Sequence, residues 1–378
     1  MLYSNYKLYT MKIIQLVTSL DDGGAETLVK DYSIKLEKKN QEVLVVVVFN
    51  YTKSSNYRLL RDANINYLPL VRNYNIISRL FLRLFGKWYI PYRLKKCFKV
   101  EKPDVVHIHL ELLKYVAKIA NYFPATKFFF TCHSEPYRKL GPQYPGELEA
   151  AKEMCAANRL QVIALHNDMR LKLNKMLDID NTKVLYNCIS VKHFSKCNVD
   201  KNEVRSKIFV PKDVILIGHV GRFSEPKNHE FIIKVFYEAS KQNNKVMLLL
   251  VGDGDLLQSV KNKVHQLGIE KKVIFLSHRS DVPELMKAMD LFLFPSIIEG
   301  FPVTLIEAQA IGLPCLISNT ITPEVCISKN VVSMDLDKSA AEWASQLLSM
   351  YGMITYDKRI ENFDWDNVID KLINLYKQ

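Results

Sequence analysis

Two carboxylates, Glu299 and Glu307, stand seven residues apart in the run from Ser296 to Ala308 of this 378-residue chain. Glu299 follows an apolar stretch, Leu291-Phe292-Leu293-Phe294, that predicts a strand, and Glu307 falls inside the helix predicted next. That placement aims both at the carboxyl edge of a sheet, where open α/β folds take their ligands. Pro302 suits the first helical position. The amides of Phe301, Val303 and Thr304 would then form an anion site, and Gly300 would let the chain approach a ligand closely. Upstream, Gly221-Arg222-Phe223-Ser224-Glu225-Pro226-Lys227-Asn228 follows the predicted strand 214–220 directly. Arg222 can fork onto phosphate oxygens and Lys227 supplies a point charge. Fixed cations and amide dipoles of this kind neutralise charge that builds on a phosphate leaving group. The plainer alternative is two solvated loop cations, a helix-dipole glutamate and a surface glutamate.

Gly23 and Gly24 end the first predicted strand and open the first helix, a place where glycines make a tight turn and bring amides toward a phosphate or acceptor. His133 is expected to close strand 127–132. His107 and His109 alternate on strand 104–109, so they share a face; with no third ligand evident, one near a cleft or both structural is the expectation, rather than a metal pair. Gly252-Asp253-Gly254 reads as turn chemistry. The G-x-G-x-x-G fingerprint is absent, so NAD binding is not supported.

The elements that must hold these residues alternate. In the first half the predicted strands are 12–18, 42–49, 104–109, 127–132, 161–165 and 183–186, with a helix over 25–39 whose Ala25, Leu28, Val29, Tyr32 and Leu36 share one face. In the second half strands 214–220, 245–251, 273–276 and 291–294 lead into helices near 228–241, 255–267, 282–289 and the one carrying Glu307. Strand, helix, strand repeated in this way predicts a parallel sheet covered on both faces. Residues 187–212, rich in Lys, Asn, Ser and Asp, read as a linker with a short helix. Two doubly wound α/β domains facing each other across a cleft are the simplest architecture. Their expected bounds are 11–190 and 191–361, with a closing helix in 362–378 that packs back on the first through Val368, Ile369, Leu372, Ile373 and Tyr376.

Length and composition agree with two soluble domains. No stretch reaches the ~20 apolar residues of a membrane-spanning helix, and no secretory signal is visible. A cytoplasmic location is expected, with residues 1–10 a frayed extension or Met11 the true start. Seven scattered cysteines without a C-x-x-C pair predict reduced thiols and no zinc site. The net charge is +12. Much of it sits in residues 79–99, where Arg and Lys alternate with aromatics and where Gly86 and Pro91 are expected to split the segment into two pieces. Such segments bind anionic membrane faces; a domain helix with a solvated basic face is the other reading. No nucleic-acid motif accompanies the charge.

The glutamate pair, the Gly-Arg…Lys loop and the Gly-Gly-Ala-Glu turn resemble the motifs of retaining glycosyltransferases of family 4, which have the GT-B fold of two Rossmann-like domains. The Ser-x-x-Glu-Gly-x-Pro version is similar to bacterial enzymes of capsule, exopolysaccharide or O-antigen assembly. The resemblance implies transfer of a hexose or N-acetylhexosamine from a UDP-sugar to a saccharide acceptor, lipid-linked if the basic segment meets a membrane, with no essential metal or cofactor. It implies that Glu307 binds the ribose hydroxyls, that Glu299 and His133 lie by the donor sugar, that Arg222 and Lys227 hold the diphosphate, and that the main chain near Arg279 meets the nucleobase. Front-face attack is the usual description, so the resemblance makes no nucleophile of Glu299. Where the family has Asn-Gly-Val/Ile, this chain has Asn187-Cys188-Ile189, which puts any special backbone angle there in doubt. Two rival readings are a nucleotide-sugar epimerase of the same fold and a non-catalytic partner in a polysaccharide assembly complex.

Overall fold

The computed structural model describes residues 10–21, 23–49, 54–71 and 75–378, apart from the side chain of Ile77. The extension expected at the start lies, but for Thr10, outside the described residues, as does Asp22 beside Gly23. The chain divides into two compact units, one of them Asn187–Val368 and the other the remainder, with Ile369–Gln378 grouped with the first half.

The first unit is built on seven parallel strands: β1 (Lys12–Val17), β2 (Glu42–Phe49), β3 (Asn66–Val71), β4 (Val105–His109), β5 (Lys127–Thr131), β6 (Leu160–Ala164) and β7 (Lys183–Val184). Their order is β3-β2-β1-β4-β5-β6-β7. The order reverses between β1 and β4, and at such a switch point the following loops part to leave a crevice. Register sets Gln15 beside His107 and His109 beside Thr131.

Strand β3 is absent from the sequence expectation; Pro69 lies within it, and proline argues against a central strand. Here β3 is the outermost strand, so one flank has no ladder for proline to interrupt. A second correction concerns the basic segment. Gly86 and Pro91 do not split it: one helix runs from Ile76 to Glu101. Proline frees the carbonyl four residues before it, and the Lys87 carbonyl accepts a hydrogen bond from Lys118 Nζ at 3.0 Å. The buried stripe Ile90, Leu94, Cys97 and Phe98 fixes this helix to its unit.

The second unit has six parallel strands: β8 (Ile215–Val220), β9 (Val246–Val251), β10 (Val273–Leu276), β11 (Leu291–Phe294), β12 (Cys315–Ser318) and β13 (Val331–Met334), in the order β10-β9-β8-β11-β12-β13. The last two were not read from the sequence. Leu248, Leu250, Leu291 and Leu293 pack with Phe236 and Trp343 in one core, where truncating either aromatic would cost roughly 3–5 kcal/mol. The segment 187–212 is not a linker. It contains the helices Val191–Ser195 and Lys201–Lys207, and the buried Arg205 ion-pairs with Asp290 and donates to the carbonyl of Ala288 at 2.9 Å. Both sheets are Rossmann-like, and the sequence-predicted fold class of two doubly wound α/β domains is the one observed.

Candidate active site

In the second unit the switch point lies between β8 and β11, and the two motif loops leave from those strands. The loop after β8 is seated on the loop after β9: Gly221 N donates to Val251 O at 3.0 Å and Phe223 N to Asp253 O at 2.9 Å. The packing is backbone to backbone. A Cβ at Gly252 would lie 2.1 Å from Gly221 O, and one at Gly254 would lie 2.5 Å from Phe223 O. Both glycines also have φ near +150° (+144° and +150°), which side chains avoid. The Gly252-Asp253-Gly254 turn therefore supports the cationic loop as well as turning the chain.

The β8 loop is also tied to the β11 loop. Asn228, in the left-handed conformation at φ +56°, donates from Nδ2 to Pro295 O at 3.1 Å, and Ile297 N donates to Pro226 O at 2.8 Å. Between these ties Lys227 Nζ lies 2.6 Å from Glu299 Oε1 and 4.9 Å from the centre of the Phe294 ring. Both charged side chains are largely covered, 19% and 13% exposed. Arg222 differs: it is 63% exposed, and the nearest carboxylate, Asp255, is 3.8 Å away. Its guanidinium can swing onto an arriving anion.

Pro302 is the cap residue, and the helix starts one residue later, at Val303, and ends at Ile311. Proline's extended φ/ψ here stops the helix from reaching back to Gly300. No protein acceptor among the described residues takes the amides of Val303 and Thr304, as expected for a first turn. Asn187 Nδ2 donates to Phe301 O at 3.0 Å, and the Phe301 ring stacks on Phe363. Gln309 anchors the helix from its buried side, donating to Leu305 O and Val325 O and accepting from Ile327 N and Ser328 N. Gly300 is buried. Glu307 is partly buried and makes no hydrogen bond or ion pair among the described residues; burial alone pushes its carboxyl up to about 7. Such a shift without a protein partner marks a carboxylate that a ligand can satisfy.

Arg279 is engaged elsewhere, forking onto Asp281 Oδ1 at 2.7 Å and Oδ2 at 2.5 Å. Cys188 is buried and is not among the residues with positive φ, so no glycine-like angle is needed there.

In the first unit Gly23 caps the helix Gly24–Lys38. A Cβ on Gly23 would meet Glu26 Oε2 at 2.3 Å, whereas nothing lies within 4 Å of one on Gly24. His133 lies two residues beyond β5 instead of closing it. It is partly exposed, and burial pushes its imidazole down to about 3. Its Nε2 is 2.8 Å from Nδ1 of the buried His109. His107 is also buried, with its two ring nitrogens on Tyr376 Oη and Thr131 Oγ1. Among the described residues no three side chains are grouped to hold a metal ion. Sequence reasoning did not single out Gln15 or Gln309 as site-supporting residues and gave Tyr376 only a packing role. Nothing in local periodicity marks a polar residue whose partners are far along the chain.

Two family models match the chain: "Glycosyltransferase Family 4" over residues 22–193 and "Glycosyl transferases group 1" over residues 200–352. The chain is 26% identical to the putative glycosyltransferase EpsF of Bacillus subtilis, over 89% of this chain and 86% of that one. It is 26% identical to the capsular polysaccharide biosynthesis glycosyltransferase CapH of Staphylococcus aureus, over 97% of each. It is 31% identical to the UDP-Gal:alpha-D-GlcNAc-diphosphoundecaprenol alpha-1,3-galactosyltransferase of Escherichia coli, over 63% of each. The fold matches that of Anabaena HepE in complex with UDP-glucose, with a TM-score of 0.78 and 20% identity over 97% of this chain and 99% of that one.

Proposed function

Starting from a chain that belongs to glycosyltransferase family 4 and has the GT-B fold, we propose that this enzyme moves a hexose or N-acetylhexosamine from a UDP-sugar to a lipid-linked saccharide. The transfer retains the anomeric configuration and serves bacterial surface-polysaccharide synthesis. The observation that carries the reading is the Lys227–Glu299 pair, held at the second unit's switch point, with the unpartnered Glu307 in the helix that follows. Names of relatives point the same way: one acts in capsule synthesis and one uses UDP-galactose and a diphosphoundecaprenol-linked acceptor.

In this reading residues 191–361 bind the nucleotide sugar. Lys227 and Arg222 take the diphosphate oxygens, with the amides of Phe301, Val303 and Thr304 opposite and Gly300 permitting close approach. Glu307 accepts hydrogen bonds from the ribose hydroxyls. Glu299 orients Lys227 and lies by the donor sugar; no nucleophilic role is assigned to it. The main chain near Arg279 meets the base. Residues 11–190, with the helix in 362–378, serve the acceptor and the transferred sugar through Gly23, Gly24 and His133.

The helix Ile76–Glu101 supports a membrane-borne acceptor. Leu84, Trp88 and Tyr92 are 57%, 60% and 64% exposed, and Phe81 and Phe85 join Trp88 and Tyr92 around a shallow apolar groove. Arg79, Arg83 and Lys87 are exposed on the same helix. Aromatic and basic side chains so mixed suit the interface of an anionic leaflet. No described helix is long and apolar enough to cross a membrane. Attachment in this reading is peripheral, through the helix Ile76–Glu101, at the inner face of the plasma membrane.

Thermal unfolding with UDP, GDP, ADP and their common sugars tests the reading. UDP ligands at 100 times their dissociation constant should add ~2.7 kcal/mol to the wild type and far less to Glu307→Ala. No response to any nucleotide would overturn it.

A further inference from the structure

A chain of hydrogen bonds joins the last helix of the protein to His133. Tyr376 Oη lies 3.3 Å from Gln15 Nε2 and 2.6 Å from His107 Nδ1. Gln15 Oε1 lies 2.7 Å from His109 Nε2, and His109 Nδ1 lies 2.8 Å from His133 Nε2. Gln15, His107, His109 and Tyr376 are each fully buried, so no water can substitute for a missing partner.

With the Gln15 amide oriented as observed, Oε1 toward His109 and Nε2 toward Tyr376, the chemistry of each group fixes where the protons are. An amide oxygen only accepts, so His109 Nε2 carries its hydrogen. A buried imidazole is neutral, here held well below its usual range by burial and by its histidine neighbours, so His109 Nδ1 is bare and accepts. His133 Nε2 must then donate. His133 is neutral too, which leaves Nδ1 as a lone pair, and no described residue donates to it. At the other end the Tyr376 hydroxyl accepts from Gln15 Nε2 and donates to His107 Nδ1, whose Nε2–H then meets Thr131 Oγ1 at 2.7 Å. Tyr376 thus takes up the Gln15 Nε2–H that this orientation presents.

We propose that Tyr376, Gln15 and His109 are positioning residues that hold His133 in its Nε2–H tautomer, so that Nδ1 faces the ligand as an acceptor and takes a hydrogen bond from a sugar hydroxyl. The sugar in this statement rests on the proposed function; the tautomer does not. An amide turned the other way would reverse every bond in the chain and make His133 a donor through Nδ1–H. The two senses are therefore chemically opposite at the site.

The test is a long-range proton–nitrogen correlation spectrum of the full chain labelled with 15N-histidine, with His133 assigned by its loss in His133→Gln. The expected result is one tautomer, with Nε2 protonated and Nδ1 far downfield. A protonated Nδ1 overturns the proposal. In Tyr376→Phe, which keeps the ring against Phe129, and independently in Gln15→Met, signals of the second tautomer should appear; an unchanged single tautomer in both overturns the positioning role. UDP-glucose or UDP-N-acetylglucosamine should move the wild-type Nδ1 signal upfield. Binding of either by calorimetry without that movement overturns the sugar contact. If neither sugar nucleotide nor UDP binds, the proposed function fails instead, while the ligand-free spectrum still decides the tautomer. Where transfer is measurable, Tyr376→Phe should lower kcat about tenfold or more with KM for the donor unchanged, a split that loss of fold would not give.

Discussion

Lys227 Nζ and Glu299 Oε1 are 2.6 Å apart, although 72 residues separate them in the chain. The pair joins the loop after β8 to the loop after β11, and in the proposed function its cation meets the donor's diphosphate. Removing one partner leaves the other largely covered and uncompensated, which is costly. Lys227→Met should destabilise the second unit by roughly 1–3 kcal/mol and weaken UDP binding at least tenfold. Glu299→Gln should keep UDP affinity within a few fold yet lower turnover. A double-mutant cycle on chemical unfolding checks the pair: additive losses would mean that the two side chains do not interact.

Arg222 should behave in the opposite way. It is exposed and its contact with Asp255 is long, so Arg222→Ala should change stability by less than about 0.5 kcal/mol. Calorimetry should still find UDP affinity reduced about tenfold, and Arg222→Lys should restore only part of it because the fork is lost. A matched loss of stability and affinity would argue that Arg222 supports the loop and not the ligand.

Glu307 predicts a pH dependence of definite sign. Burial raises its carboxyl from 4.5 to about 7 in the folded chain, so the stability it contributes is complete below pH 4.5 and is lost as pH rises through 7. In ligand-free protein Glu307→Gln should match the wild type near pH 4.5 and exceed it by about 1–2 kcal/mol at pH 8, a figure reduced for partial exposure. Glu147, also raised to about 7 by burial, is common to both proteins and cancels. Ribose hydroxyls favour the ionised carboxylate, so UDP affinity should rise between pH 6 and 8 in the wild type more than in Glu307→Gln. Parallel pH curves for the two proteins would remove Glu307 from the nucleotide site.

The exposed face of the helix Ile76–Glu101 can be tested without a substrate. Leu84→Ser with Trp88→Ser should leave thermal stability nearly unchanged, because both side chains are exposed. Co-sedimentation with vesicles rich in anionic phospholipid should fall about tenfold or more, and high salt should weaken the wild type's binding. Equal sedimentation of wild type and variant would leave this face as a solvated helix surface.

Much of this was legible in the sequence. The alternation of apolar strands with helical patterns specified two doubly wound domains, because both periods are local. The spacing of Arg222, Lys227, Glu299 and Glu307 could be read because all four lie in the loops that leave β8 and β11 or in the helix that follows β11. Other features depended on partners that local patterns do not contain. Pro69 could belong to a strand only because β3 lies at the sheet edge. Pro91 could remain inside a helix because Lys118, 31 residues from Lys87, takes the carbonyl it frees. Tyr376 and Gln15 are 361 residues apart. A hydrogen bond over that distance leaves no trace in periodicity or composition, so the sequence supplied His133 as a candidate while only the tertiary structure set His109, Gln15 and Tyr376 in line behind it.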